Sequence, residues 1–81
     1  MKVKVRFYSR HREIVGKAEG EIEVEEGVTI NNLMEKLIER YPELEKIRDS
    51  TLYSLNHRYA KGDERLKDGD EMAIFPPVEG G

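Results

Sequence analysis

No cysteine occurs in these 81 residues, which excludes a disulfide framework, an iron–sulfur cluster and a thiolate zinc site, and fits a cytoplasmic setting. Stability has to come from regular elements packed around aliphatic side chains, and the length suffices for one modest core. Long hydrophobic runs are missing too. No stretch approaches membrane-spanning length, and Met1-Lys2-Val3-Lys4-Val5 reads as a strand rather than a secretion signal. Nor is there a basic excess: 14 Lys and Arg against 17 Asp and Glu leave a formal charge of −3, which argues against nucleic acid and suits protein partners. A G-x-x-x-x-G-K-[ST] loop for nucleotide phosphates is absent. Ser9, Ser50 and Ser54 lack a nucleophile-elbow setting, and the Asp68-Gly69-Asp70 loop is too short for calcium. His11 and His57 have no second ligand at metal spacing and read as surface histidines. The residues supply no catalytic centre of their own, no metal site and no bound cofactor.

What is present is patterned. From Lys2 to Ser9, Val3, Val5 and Phe7 alternate with Lys2, Lys4, Arg6 and Tyr8, the signature of a strand with one buried face. Residues 10–16 break that alternation, with Ile14 and Val15 anchoring a short helical turn that ends at Gly16. Glu21 to Glu25 alternates again, Ile22 and Val24 inward, so the acids of this segment can face the bases of the first across a hairpin. Thr29 is a good helix N-cap, and Val28 and Leu33 have hydrophobic-staple spacing. Leu33, Met34, Leu37, Ile38 and Tyr41 then form one apolar stripe, stopped by Pro42.

Beyond Pro42 the chain returns irregularly or in a brief helix to a third strand over residues 52–56. Lys61-Gly62-Asp63 and Lys67-Asp68-Gly69-Asp70 are turns, with a short edge strand expected at Glu64-Arg65-Leu66 between them. Glu71 to Phe75 closes the sheet, with Met72 and Ile74 inward. This order implies an α+β fold: a mixed sheet of about four to five strands with one main helix across one face, the ubiquitin-like β-grasp arrangement. Residues 1–75 form that domain, and 76–81 an extended tail. Alternation puts Tyr8 and Phe75 on the open face, and Tyr59 in the loop beyond the third strand.

The tail, Pro76-Pro77-Val78-Glu79-Gly80-Gly81, has its own logic. Paired prolines cannot donate to a ladder and hold the backbone extended, so the sheet stops there. Gly80 and Gly81 let backbone pass through a channel too narrow for side chains. Val78 to Gly81 fully extended reaches about 13–14 Å. The expected working group is the carboxylate at Gly81.

These residues resemble the small subunit of molybdopterin synthase, a ubiquitin-like sulfur-carrier family. Asp68-Gly69-Asp70-Glu71, Ala73-Ile74-Phe75 and the tail through Gly81 carry most of the resemblance, with support from Arg12-Glu13-Ile14-Val15-Gly16. Terminal Gly-Gly alone is shared with ubiquitin-like modifiers and the thiamin sulfur carrier, and the paired prolines favour the molybdopterin branch. The resemblance implies that an E1-like enzyme adenylates Gly81 with ATP and that the adenylate becomes a thiocarboxylate. It also implies a heterotetramer, two small subunits at opposite ends of a large-subunit dimer, in which the tail donates sulfur to the pterin precursor. Phe75, Tyr8 and Tyr59 match positions the family docks with, although Tyr at 8 and 59 replaces a more aliphatic or Phe character. Arg12 matches a position near the tail exit. Three other readings use the same residues: a ubiquitin-like modifier, a carrier for thiamin or transfer-RNA thiolation, and a binding module whose tail is inert.

Overall fold

The alternating segment Lys2–Phe7 forms β1, with Val3, Val5 and Phe7 buried and Lys2, Lys4 and Arg6 turned away. A computed structural model describes residues 1–77. β1 stops at Phe7, two residues before the alternation ends, because Ser9 takes φ 51, a left-handed backbone that swings the chain into α1 (Ser9–Val15). Gly16 closes that helix at φ 86, donating its N–H to the Arg12 carbonyl, as the sequence implied.

β2 covers Glu19–Glu23, two residues earlier than alternation suggested, and runs antiparallel to β1 with Val3 opposite Ile22 and Lys4 opposite Glu21. Val24 lies just past the strand and is still buried. The expected cross-strand charge pairing forms on the diagonal: Lys4 Nζ sits 3.0 Å from Glu19.

Thr29 caps α2 (Ile30–Arg40) through a reciprocal box, its Oγ1 accepting from the Asn32 N–H at 3.2 Å and its own N–H donating to Asn32 Oδ1 at 2.9 Å. Ile30, Leu33, Met34 and Leu37 are buried, and Ile38 and Tyr41 pack at the margin. After Pro42 the return is a 3₁₀ segment, Pro42–Ser50, that drives Leu44 fully into the core.

β3 (Leu52–Leu55) turns directly into β4 (Arg58–Ala60), and β5 (Glu71–Phe75) inserts between β1 and β3 to give the order β2-β1-β5-β3-β4. β5 runs parallel to β1 and antiparallel to β3. This is the β-grasp architecture, a mixed five-stranded sheet with α2 across one face. The outer strand differs from the expected one. Asn56 and His57 adopt φ 51 and φ 71, a two-residue turn of the twist that hairpins favour, so pairing starts at once and Tyr59 lies on β4 rather than in a loop. Arg65 makes only an isolated bridge to Thr29, while Leu66 is buried beneath a hydrogen bond from its N–H to the Val28 carbonyl. Gly69 at φ 83 completes the last turn before β5.

Val3, Val5, Phe7, Tyr53, Met72 and Ile74 from the sheet meet Leu33, Met34 and Leu37 of α2 in one core. His11 is the second departure: it is 1% exposed rather than on the surface. Its position on α1 faces inward, and Nε2 lies 2.8 Å from Thr51 Oγ1.

Candidate functional site

The face of the sheet opposite α2 is built by register. Arg6 lies beside Ala73, Ala73 beside Ser54, and Ser54 beside Tyr59, so one row crosses β1, β5, β3 and β4. Its two middle members are small, and the backbone between the flanking side chains is left uncovered. The result is a shallow concavity of about 400 Å³ lined by Arg6, Tyr8, Ser54, His57, Glu71, Ala73 and Phe75. Tyr8 follows β1 and Phe75 ends β5; because Phe7 pairs with Ile74 in the parallel ladder, these two aromatic residues stand at the same end of the sheet.

Tyr59 is 77% exposed and Tyr8 43%; among the described residues these and Leu52 are the large apolar-bodied side chains least covered by the fold. Tyr59 tilts against Phe75 with ring centroids 6.1 Å apart and planes at 51°. The structure therefore brings Tyr8, Tyr59 and Phe75 to one face. An exposed aromatic cluster around a concavity is the form of a protein-docking surface.

Charge occupies the opposite rim. Arg6 Nε lies 2.9 Å from Glu71 Oε2, an ion pair by distance although its N–H is not aligned as a hydrogen bond. The Tyr8 side chain first and Glu71 second hold the Arg6 guanidinium above its ordinary value. His57 Nε2 stands 3.9 Å from the same carboxylate oxygen. Asn56 fixes the base of this rim, its amide donating to Asp70 at 3.0 Å and its carbonyl oxygen accepting from the Glu71 N–H at 3.0 Å.

Sequence reading missed Arg6, Ser54, His57, Glu71 and Ala73. For Arg6, Glu71 and Ala73 the signal existed, since alternation places them on the open face; which strands lie side by side is what alternation cannot supply. His57 was hidden because its turn carries no glycine.

Arg12 is exposed on α1 and lines none of this concavity. It shares an end of the sheet with the end of β5, because α1 leaves from the β1 terminus that runs parallel to it. Pro76 is half-buried and Pro77 exposed directly after β5. Val78, Glu79, Gly80 and Gly81 lie outside the described residues. Among the described residues no cluster of His, Asp and Glu is arranged to hold a metal ion.

A model of the ThiS family matches residues 5–81. A molybdopterin synthase sulfur carrier subunit from Chlamydomonas reinhardtii is 34% identical over 83 residues, with 100% of each chain covered. Among solved structures, a putative molybdopterin converting factor, subunit 1, from Pyrococcus furiosus is 36% identical with a TM-score of 0.83, covering 96% of this chain and 99% of its own. The small archaeal modifier protein 1 from Methanosarcina acetivorans is 28% identical with a TM-score of 0.82, covering 99% and 96%.

Proposed function

The chain belongs to the ThiS family, and on that premise we propose that it is a sulfur carrier for molybdopterin assembly whose reactive end is Gly81. The observation that carries this reading is the end-to-end alignment with a relative named as a molybdopterin synthase sulfur carrier subunit. The chemistry suits the residues. A terminal carboxyl with an ordinary pKa near ~3.5 is ionised at neutral pH and can attack the α-phosphate of ATP, expelling pyrophosphate. The acyl-adenylate that forms has AMP as its leaving group, where the free carboxylate would have to expel oxide. A sulfide-level nucleophile then adds at the carbonyl carbon, the new C–S bond forms as the C–O bond to AMP breaks, and a thiocarboxylate and AMP remain.

ATP belongs to an E1-like partner enzyme in this scheme, because the chain has no phosphate loop of its own. The carrier's contribution is presentation: a sheet that docks and a tail that reaches. Tyr8, Tyr59 and Phe75 are the docking residues toward the large synthase subunit, in a heterotetramer with two carriers at opposite ends of a large-subunit dimer. Arg12, beside the exit, steers an acidic partner surface. Pro76, Pro77, Val78, Glu79 and Gly80 form the leash. Cytoplasmic residence accords with the lack of cysteine; among the described residues no helix is long and apolar enough to cross a membrane.

Likeness to a small archaeal modifier protein favours a second reading, in which Gly81 ends in an isopeptide bond to a lysine. Intact mass of the chain isolated from its own cells separates the two. Replacement of one terminal oxygen by sulfur supports the carrier, attachment to larger proteins supports the modifier, and an unmodified acid in both the free and bound pools overturns both.

A further inference from the structure

On the helix side of the sheet, a second surface uses neither Gly81 nor the aromatic cluster. β2 is the outermost strand, with β1 on one side and, among the described residues, no strand on the other. Phe7 N–H donates to the Ala18 carbonyl and Val24 N–H to the Met1 carbonyl, so the alternate residues Ala18, Gly20, Ile22 and Val24 turn their backbone polar groups toward β1. Glu19, Glu21 and Glu23 therefore turn theirs outward. The Glu23 carbonyl accepts from Lys36 Nζ at 2.8 Å, and the outward groups of Glu19 and Glu21 form an open template for another strand.

A cleft lies directly above this edge, between β2 and α2. Phe7, Ile22, Leu37 and Tyr41 supply its apolar walls, and its volume of about 80 Å³ is that of a small aliphatic side chain. Gly20 keeps it open; a Cβ there would come within 3.2 Å of the Lys17 side chain that crosses it. Lys17, Lys36 and Arg40 also line the cleft. Among the described residues none of these cations makes a salt bridge, in a chain where acids outnumber bases. On the other side of the same strand, Glu19 is neutralised by Lys4, while Glu21 and Glu23 have no ion pair among the described residues.

We propose that this edge is a docking site for an extended segment of a partner protein, which adds as a further strand beside β2. One of its aliphatic side chains fills the cleft, and carboxylates two residues to either side meet Lys17, Lys36 and Arg40. Its alternate side chains are basic and face Glu21 and Glu23. Main-chain hydrogen bonds supply affinity in such additions and alternate side chains supply selectivity. A second copy of this chain is a poor occupant, because pairing β2 with itself sets glutamates against glutamates. A polyanion answers the cations but not the outward backbone groups or the glutamate row. The site goes beyond the sulfur-carrier reading and stands whichever acceptor the tail serves.

The test is an amide-shift titration of the ¹⁵N-labelled full chain with the acetylated, amidated peptide Lys-Asp-Lys-Ile-Lys-Asp-Lys. Saturable shifts are expected over residues 19–23 and 36–41, lost when Ile is replaced by Ser in the peptide. The Lys17→Glu/Arg40→Glu chain should bind about tenfold more weakly, the scale of losing two exposed ion pairs and setting acid against acid. Glu21→Pro, which deletes one outward N–H at an edge position that tolerates proline, should also lose binding. Equal response to a scrambled peptide of the same composition, shifts confined to Arg6, Tyr8 and Ser54, affinity unchanged in the charge-reversed chain, or self-association of the free chain through β2 would each overturn the proposal.

Discussion

His11 and Thr51 are joined by a buried hydrogen bond, with Nε2 and Oγ1 2.8 Å apart, that ties α1 to the end of the 3₁₀ segment. Thr51 Oγ1 donates to the Ile47 carbonyl at 2.7 Å, so its lone pair accepts from His11 and the imidazole carries its proton on Nε2. Nδ1 makes no hydrogen bond, and a second proton there would put a charge into the core. Burial accordingly lowers the His11 pKa, against a smaller opposing pull from the Tyr8 backbone. The unfolded chain then binds more protons than the native one once the pH falls below the ordinary imidazole value near ~6.5. This group's contribution to stability is full above that value and is lost as the pH falls through the lowered native one. Denaturant midpoints from pH 8 to pH 4 should show the loss in the native chain. In His11→Gln, which keeps a donor for Thr51 and cannot titrate, the same window should be flatter; parallel curves would remove His11 as the cause.

Phe75 and Tyr59 give a prediction about docking. Both rings lie on the open face, where truncation removes little core packing, so Phe75→Ala should cost about 1 kcal/mol of stability or less. Binding to the large synthase subunit should weaken far more, by about 2 kcal/mol if the ring is an anchor of that interface. Calorimetric titration of the two subunits reads this directly. Tyr59→Ala should couple to it by about 0.5–1 kcal/mol in a double-mutant cycle, because the rings touch. Unchanged affinity in both single variants would take this face out of the interface.

Much of this surface is legible in the sequence. Period-two alternation placed Tyr8 and Phe75 on the open face, and the helix stripe from Leu33 to Tyr41 named the layer on the other side. Three features escaped. Asn56-His57 makes a hairpin turn without glycine, so local pattern reads the strand bearing Tyr59 as loop and puts the edge at Glu64-Arg65-Leu66 instead. His11 sits in a short helix whose inward face has no apolar periodicity to betray it. The small pair Ser54 and Ala73, on which the concavity depends, acquires meaning only when β5 is seen to lie between β1 and β3. Local pattern fixes which way a side chain points; strand order, a property of contacts distant in sequence, fixes what it points beside.

Leu44 tests the part of the core that periodicity did not announce. It lies among charged residues in an irregular-looking run, yet it is 0% exposed and belongs to the main cluster. Leu44→Ala should therefore cost about 2–4 kcal/mol, a cavity-forming loss in so small a domain. Glu45→Ala, one residue on and exposed, should stay within about 0.5 kcal/mol of the parent. Urea unfolding of the two variants decides the matter, and near-equal midpoints would place Leu44 outside the cooperative core.

The role proposed for Gly81 separates presentation from folding. The last strand ends at Phe75, and among the described residues every core residue precedes it, so changes at the tail tip should leave the melting temperature within about 1 °C of the parent. Transfer chemistry should respond oppositely. Removing Gly81 shortens the reach by about 3.3–3.6 Å and ends the chain at Gly80, while adding one alanine after Gly81 puts a side chain at the tip and moves the carboxylate outward by as much. A reacting group displaced by that distance misses an attack geometry that holds atoms about 3–3.5 Å apart. Both variants should lose sulfur loading by the activating enzyme, read as the absence of a thiocarboxylate mass, and dithiolene formation with the large subunit. Loading of the alanine-extended chain, with its extra residue still present by mass, would show that the Gly81 carboxylate is not the reactive group.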